Sequence, residues 1–124
     1  MQKAMRVIIA DDSDMMRERL QQMLCNITKV ELVGSFRNGI ETLAAMRTLK
    51  PDLAIIDNKM PGKTGIEVLK EIREENFSFK IMLLTFYASD LYRNQAMKSG
   101  ADFFFSKVDD FEKIPEVIDE ILKI

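Results

Sequence analysis

Five polar side chains of complementary chemistry follow four short apolar runs. Asp11 and Asp12 follow Val7-Ile8-Ile9-Ala10, and Asp57 follows Leu53-Ala54-Ile55-Ile56. Thr85 follows Ile81-Met82-Leu83-Leu84, and Lys107, one residue beyond Ser106, follows Phe103-Phe104-Phe105. Three carboxylates in one cleft repel one another, and their pKa values rise unless a cation neutralises them. An all-oxygen donor set with room for water suits Mg2+, which keeps several waters and shares itself with a phosphate. An ammonium and a hydroxyl meet phosphoryl oxygens as a point charge and a hydrogen-bond donor. A carboxylate is itself a nucleophile that forms an acyl phosphate, and phosphoryl transfer asks mainly for alignment and charge neutralisation. Taken singly, each residue has a plainer role. Asp12 or Ser13 caps a helix, Asp57 opens a turn ahead of Pro61 and Gly62, Lys107 is a solvated charge and Thr85 ends a strand. Their common position at the ends of apolar runs is what points to one phosphate site.

The elements that must position them are legible from apolarity. The four runs are continuous rather than alternating, as in strands covered on both faces of a parallel sheet. Val30 to Phe36 is a weaker fifth strand. Between the strands lie helix-period segments: Met15/Met16, Leu20, Met23/Leu24 and Ile27; then Ile40, Leu43/Ala44 and the stem of Arg47; then Ile66, Leu69/Lys70 and Ile72/Arg73. Ser13 or Asp12 caps the first helix. Gly39 opens the second, and Pro51 stops it shortly after Leu49. Gly100 follows a fourth helix of about Ser89 to Ser99, and Pro115 suits the first turn of a fifth that ends near Ile124. Five strand–helix units in strict alternation make an α/β doubly wound five-stranded parallel sheet with five helices. All carboxyl ends of such a sheet lie on one edge, where ligands bind, so the carboxylates, hydroxyl and ammonium are expected to converge.

Composition narrows the chemistry. The chain has 124 residues, 47% hydrophobic and 31% charged, with a net charge of −2. One domain spanning residues 1–124 is expected, without linker, repeat or second domain. There is no histidine, so no Ser-His-Asp triad, imidazole zinc site or phosphohistidine carrier arises from this chain alone. The single cysteine, Cys25, excludes an intrachain disulfide and reads as a small core residue. The acidic balance lacks a nucleic-acid footprint. No apolar run approaches a membrane span, residues Met1 to Ala10 read as no signal peptide, and the cytoplasm is the expected compartment. The methionines, among them Met15, Met16, Met23, Met46, Met60, Met82 and Met97, are read mainly as core gap-fillers. The Phe103–Phe105 run is read as core strand, and Glu67, Glu71, Glu74 and Glu75 as a solvated helix face.

With these residues in view, the whole chain resembles a response-regulator receiver domain, the CheY-like fold of two-component signalling. The resemblance rests on Asp11-Asp12, on Asp57 within the D-x-x-M-P-x-x-x-G segment that runs to Gly65, on Leu83-Leu84-Thr85, and on Gly100-Ala101-Asp102-Phe103-Phe104-Phe105-Ser106-Lys107. It implies the flavodoxin-like strand order 2-1-3-4-5. It implies that Asp57 accepts a phosphoryl group from a partner histidine kinase or phosphotransfer protein. Asp11, Asp12, Asp57 and the main-chain carbonyl of Lys59 would hold Mg2+, and Thr85 and Lys107 would contact phosphoryl oxygens. Phe104 falls at the aromatic switch position coupled to Thr85, and the fourth helix, fifth strand and fifth helix would form the output surface. A downstream effector protein or domain is the implied partner, with a homodimer possible on phosphorylation, no direct nucleic acid and no membrane.

Three positions depart from the family pattern. Val108 stands where proline usually follows the lysine, so a trans Lys107–Val108 bond is expected. Phe86 stands where a small residue usually follows the threonine, and it would obstruct access to the site. Lys59 and Tyr87 occupy the two variable positions often linked to dephosphorylation rate. The competing functions are a Mg2+-dependent aspartyl-phosphate phosphatase and a pseudo-receiver that never carries phosphate. The first usually has its nucleophile after the first strand in a D-x-D arrangement, with cap segments for which this chain has no room. The signalling module, rather than a turnover enzyme, is the reading preferred here.

Overall fold

The computed structural model describes residues 4–123. Five strands, β1 (Met5–Ala10), β2 (Val30–Phe36), β3 (Leu53–Ile56), β4 (Lys80–Thr85) and β5 (Phe103–Ser106), form one parallel sheet in the order β2-β1-β3-β4-β5. The helices are α1 (Asp14–Cys25), α2 (Gly39–Leu49), α3 (Gly65–Glu74), α4 (Asp90–Lys98) and α5 (Ile114–Leu122), with a 3-10 turn at Phe111–Lys113 leading into the last. Ile124, near which the fifth helix was expected to end, lies outside the described residues, as do residues 1–3.

Strand periodicity sorts the core into two layers. Ile8, Ala10, Ala54, Ile56, Ile81 and Leu83 face α2, α3 and α4. Val7, Ile9, Leu53, Ile55, Met82 and Leu84 face α1 and α5. Both faces of β1, β3 and β4 are thus covered, which is why those runs are apolar at every position. β2 is an edge strand and is only half-buried. Its register on β1 jumps from Val7↔Leu32 to Ile8↔Gly34, so Val33 is an extra, bulged residue.

The helix starts follow side-chain caps. Ser13, Asn38, Thr64 and Ser89 each accept a hydrogen bond from the backbone N–H three residues on. Thr64 and Glu67 make a reciprocal capping box. Pro115 lies in the first turn of α5.

Several sequence expectations need correction. Cys25 is exposed, because the core stripe of α1 runs Met16, Leu20, Leu24 and leaves its neighbour outside. On α2 the buried stripe is Thr42, Leu43, Ala45 and Met46. Ile40, Ala44 and Arg47 face outward, and Arg47 pairs with Glu75. Met15 and Met97 are exposed, whereas Met16, Met46, Met60 and Met82 do fill the core. Of the Phe103–Phe105 run read as core strand, Phe104 is buried at 2% exposure, whereas Phe103 and Phe105 are only half-buried on the opposite face. The glutamates of α3 are not simply solvated: Glu67 caps, Glu71 pairs with Lys63 at 2.8 Å, and Glu75 takes Arg47. No described helix is long and apolar enough to cross a membrane.

Candidate functional site

Strand register explains how residues far apart in sequence meet. Ala10 pairs with Ile56, so Asp11 and Asp57 each lie one residue beyond the same rung. Their backbones continue the ladder, Asp57 N–H donating to the Ala10 carbonyl at 2.9 Å and Asp11 N–H to Phe36 at 3.0 Å. Thr85 pairs with Ser106, and the Lys107 N–H donates to the Thr85 carbonyl at 2.8 Å. By strand parity Asp11, Asp57 and Lys107 share the α1/α5 side of the sheet edge. Thr85 shares the opposite side with Phe104.

That parity sets the electrostatics. The Lys107 ammonium lies 2.5 Å from Asp11 Oδ2 and 3.4 Å from Asp57 Oδ1. Lys107 and Asp57 are each only 5% exposed. The other Asp11 oxygen accepts the Ser13 N–H at 2.9 Å, so Asp11 is bonded on both sides. Asp12 is exposed beside them, and one carboxylate oxygen from each of Asp11, Asp12 and Asp57 lies within 4.8 Å of the others. Burial, and then the neighbouring Asp11 charge, push the Asp57 carboxyl up to about 6. Lys107 and the Lys59 backbone N–H oppose the rise. A pair of crowded carboxylates that one ammonium only partly neutralises, next to a third open to water, is a donor set suited to a hard divalent cation.

Thr85, buried at the end of β4, accepts the Tyr87 N–H on its hydroxyl at 3.0 Å. It therefore stands beside the Asp57–Lys107 pair rather than in its hydrogen-bond cluster. Phe86 and Tyr87 are both exposed. The face of the Phe86 ring carries the Lys107 ammonium at 4.8 Å, and the Tyr87 ring carries the Lys59 ammonium at 5.7 Å. Phe104 lies inward, with the Arg93 guanidinium of α4 over its ring at 4.9 Å. The Lys107–Val108 peptide is trans, as is every described peptide bond.

Three further residues shape the site without having been singled out. The Asn58 carboxamide oxygen accepts the Ile66 N–H at 3.0 Å and its carbonyl accepts the Gly65 N–H at 2.8 Å, which folds the β3–α3 loop. Ser106 accepts the N–H groups of Val108 and Asp109 on its hydroxyl, and Asp110 reaches back to the Ser106 N–H at 2.9 Å. The Asn and Ser-x-x-x-Asp positions after strands are turn signals that mark such loops.

Comparisons with known proteins agree with this geometry. Residues 7–119 match the family model of the response regulator receiver domain. Response regulator GacA of Pseudomonas viridiflava is 31% identical over 102 residues, 82% of this chain and 48% of that protein. Chemotaxis protein CheY of Halobacterium salinarum is 33% identical over 118 residues, 95% of this chain and 94% of its own. Among solved structures, the response regulator domain of Thermotoga maritima CheB superposes with a TM-score of 0.86 at 26% identity, covering 98% of both chains. The chain spans about half the length of the GacA relatives it matches. With that match running from the first strand into the last helix, the chain belongs to the response regulator receiver domain family.

Proposed function

We propose that Asp57 is the phosphoacceptor of this receiver domain. The observation that carries the reading is the single Lys107 ammonium shared by two buried carboxylates, Asp11 and Asp57, beside an exposed third. Asp11, Asp12 and Asp57, with the main-chain carbonyl of Lys59, are the groups to hold Mg2+. When bound, the ion supplies charge neutralisation for the carboxylates and the phosphoryl oxygens. The protein residues do the rest. An Asp57 carboxylate oxygen forms the P–O bond as the P–N bond of a donor phosphohistidine breaks, and the electron pair leaves with the imidazole nitrogen. Lys107 exchanges an Asp57 oxygen for a phosphoryl oxygen. The Thr85 hydroxyl, which now only accepts from Tyr87, donates its own proton to another. Movement of Thr85 toward the phosphoryl group opens space on the Phe104 side of the sheet and alters the surface of α4, β5 and α5.

In this reading the donor is a sensor histidine kinase or phosphotransfer protein in the cytoplasm. The recipient is an effector protein or domain, with dimerisation on phosphorylation as one form of output. The domain is a signalling phosphoacceptor and not a turnover enzyme. Incubation with phosphoramidate and Mg2+, followed by intact mass measurement, tests it. One phosphoryl group is expected on the wild-type chain and none on Asp57→Asn. Multiple turnover of p-nitrophenyl phosphate, or equal labelling of Asp57→Asn, would overturn it.

A further inference from the structure

We infer that Asn58 is a positioning residue, which holds the main-chain arm of the Mg2+ site in place through its bonds to the start of α3. The inference rests on the phosphoacceptor reading above and adds a supporting residue to it. The Asn58 carbonyl and the Lys59 N–H belong to one planar peptide unit and point in opposite directions. The carbonyl end accepts the Gly65 N–H of α3 at 2.8 Å. The N–H end supports the Asp57 carboxylate. The side chain makes a second bond, Asn58 Oδ1 accepting the Ile66 N–H at 3.0 Å. Thr64 takes the Glu67 N–H at 3.1 Å, so Asn58 satisfies the other two of the first three N–H donors of α3. The packing is close as well. A Cβ on Gly65 would lie 2.5 Å from the Asp57 carbonyl oxygen and 3.0 Å from Asn58 Cα. The first residue of α3 therefore rests directly on the backbone of Asp57 and Asn58.

These bonds give Asn58 a task beyond turning the chain. Asp57 is fixed from the sheet, its N–H on the Ala10 carbonyl at 2.9 Å. Two residues later the chain has left the sheet, and Lys59 is exposed. Its carbonyl, the proposed main-chain ligand, follows directly on the peptide that Asn58 ties to α3. Groups that orient a metal's ligands set its affinity without touching it. Loss of the carboxamide leaves the Ile66 N–H without its acceptor, and the Asn58–Lys59 peptide is then tied to α3 by the Gly65 bond alone. Thr64 caps the same helix through Glu67. Both residues stabilise one helix start, but Asn58 also forms part of the backbone next to Asp57.

The test is a Mg2+ titration followed by the backbone amide NMR signals of Asp12 and Lys59 in the wild type, Asn58→Ala, Asn58→Asp and Thr64→Ala. Asn58→Ala is expected to raise the Mg2+ dissociation constant about tenfold. Asn58→Asp keeps an acceptor for the Ile66 N–H and is expected to bind at least as tightly as wild type. Thr64→Ala loosens the same helix start and is expected to leave the constant unchanged. In the wild type, the Gly65 and Ile66 amide signals are expected to move as Mg2+ binds. Labelling by phosphoramidate gives a second readout. There an Asp57 oxygen forms the P–O bond while the P–N bond breaks and ammonia leaves with the electron pair. Asn58→Ala is expected to need about tenfold more Mg2+ for its half-maximal rate and to approach the wild-type rate at saturation. Equal dissociation constants in Asn58→Ala and wild type, an equal rise in Thr64→Ala, or binding in Asn58→Asp as weak as in Asn58→Ala overturns the positioning role. If Asn58→Ala does not fold, the wild type decides: Gly65 and Ile66 signals that stay fixed during the titration overturn it. The expected shifts in Mg2+ affinity without labelling of any chain overturn the phosphoacceptor reading instead.

Discussion

Helices α3 and α4 lie on the same face of the sheet, yet they are held by very different amounts of chemistry. α3 buries Gly65, Ile66, Val68, Leu69 and Ile72, whereas α4 buries Ala96 alone. The loop before α3 is tied from three directions. The Gly39 N–H donates to the Pro61 carbonyl at 3.0 Å, Asn58 holds the N–H groups of Gly65 and Ile66, and Thr64 and Glu67 close a capping box. The segment before α4 is tied mainly to itself and exposes Phe86 and Tyr87, and Leu91 in the first turn of α4 is exposed as well. The difference has a physical meaning. Under the proposed function, the β3–α3 loop carries Asp57 and Lys59, groups that must stand still to align a phosphoryl group. The β4–α4 segment follows Thr85 and leads to the surface that, in that reading, changes afterwards. Rigidity and freedom are assigned to adjacent helices by burial and hydrogen bonding, and regions that move are drawn from the less stable end of a fold.

The sharpest way to break this comparison is to disturb the tied loop. A Cβ at Gly39 would lie 2.1 Å from the Lys63 carbonyl oxygen and 2.7 Å from its carbon. The β3–α3 loop or the start of α2 must then move. Gly39→Ala is expected to destabilise the fold by about 3 kcal/mol. Asn94→Ala on the exposed part of α4 is expected to stay within about 0.5 kcal/mol of wild type. The midpoints of urea unfolding measure both. A Gly39→Ala midpoint equal to that of wild type would mean that the loop is not held as described.

The next effect concerns charge in the tied region, and its sign is fixed by the Asp57 carboxyl. Its value rises from 3.8 to about 6 in the folded chain, with burial the main cause and Asp11 the second. An acid whose folded value is raised binds its proton more tightly when folded. Its ionisation therefore costs stability as pH rises from about 4 to about 6, and the cost stays constant above that. Allowing for the solvation the cleft retains, the cost is about 2 kcal/mol. Asp57→Asn, with a chelator present, is expected to be more stable than wild type by about that amount at pH 8, and by nearly nothing at pH 4. A stability difference flat in pH would show that Lys107 already neutralises the pair completely.

Caps give the third and finer contrast. Thr64→Ala and Ser89→Ala each remove an N-cap worth about 1 kcal/mol. The loss at Thr64 falls on a helix packed into the core, so it is expected in the global unfolding free energy. The loss at Ser89 falls on a helix with one buried residue, so it is expected only as faster hydrogen exchange of the α4 amides, about fivefold, with global stability unchanged. Equal global losses would show that α4 unfolds only with the whole domain.

Much of this arrangement is legible in the sequence, and the exceptions have physical causes. Continuous apolar runs reveal β1, β3, β4 and β5, and the polar residue after each reveals the site edge, because a parallel sheet leaves no other place for those groups. The convergence of Asp57 and Lys107 is readable for the same reason. Whether a side chain near a helix start or end points in or out is less readable. Ile40 and Cys25 are apolar yet face solvent, because the neighbouring helix positions already fill the core. Thr85 looks equivalent to Asp57 in the sequence, but strand parity turns it to the other side of the sheet edge. The loop chemistry of Asn58, Ser106 and Asp110 is hidden because turn residues are common and only register shows which strand end they close.

The smallest expected effect tests what holds α4 at all. Arg93 places its guanidinium over the Phe104 ring at 4.9 Å and donates to the Phe104 carbonyl at 3.3 Å, a long bond. Phe104 itself is packed beneath with Leu83 as its strand partner. Arg93 is thus a lid over the Phe104 ring, which belongs to the core layer facing α4. Its removal costs little, because the contact is partly solvated: about 0.5 kcal/mol for Arg93→Ala. Arg93→Lys keeps the charge but loses the planar stacking, and is expected to behave nearly like alanine. The informative readout is the ring and not the stability. NMR of the Phe104 ring is expected to report faster motion in both variants, with Thr64 and the rest of the α3 start unaffected. If Phe104 stays as rigid as in wild type, the core alone positions it, and α4 is looser than its neighbour without being latched to the ring.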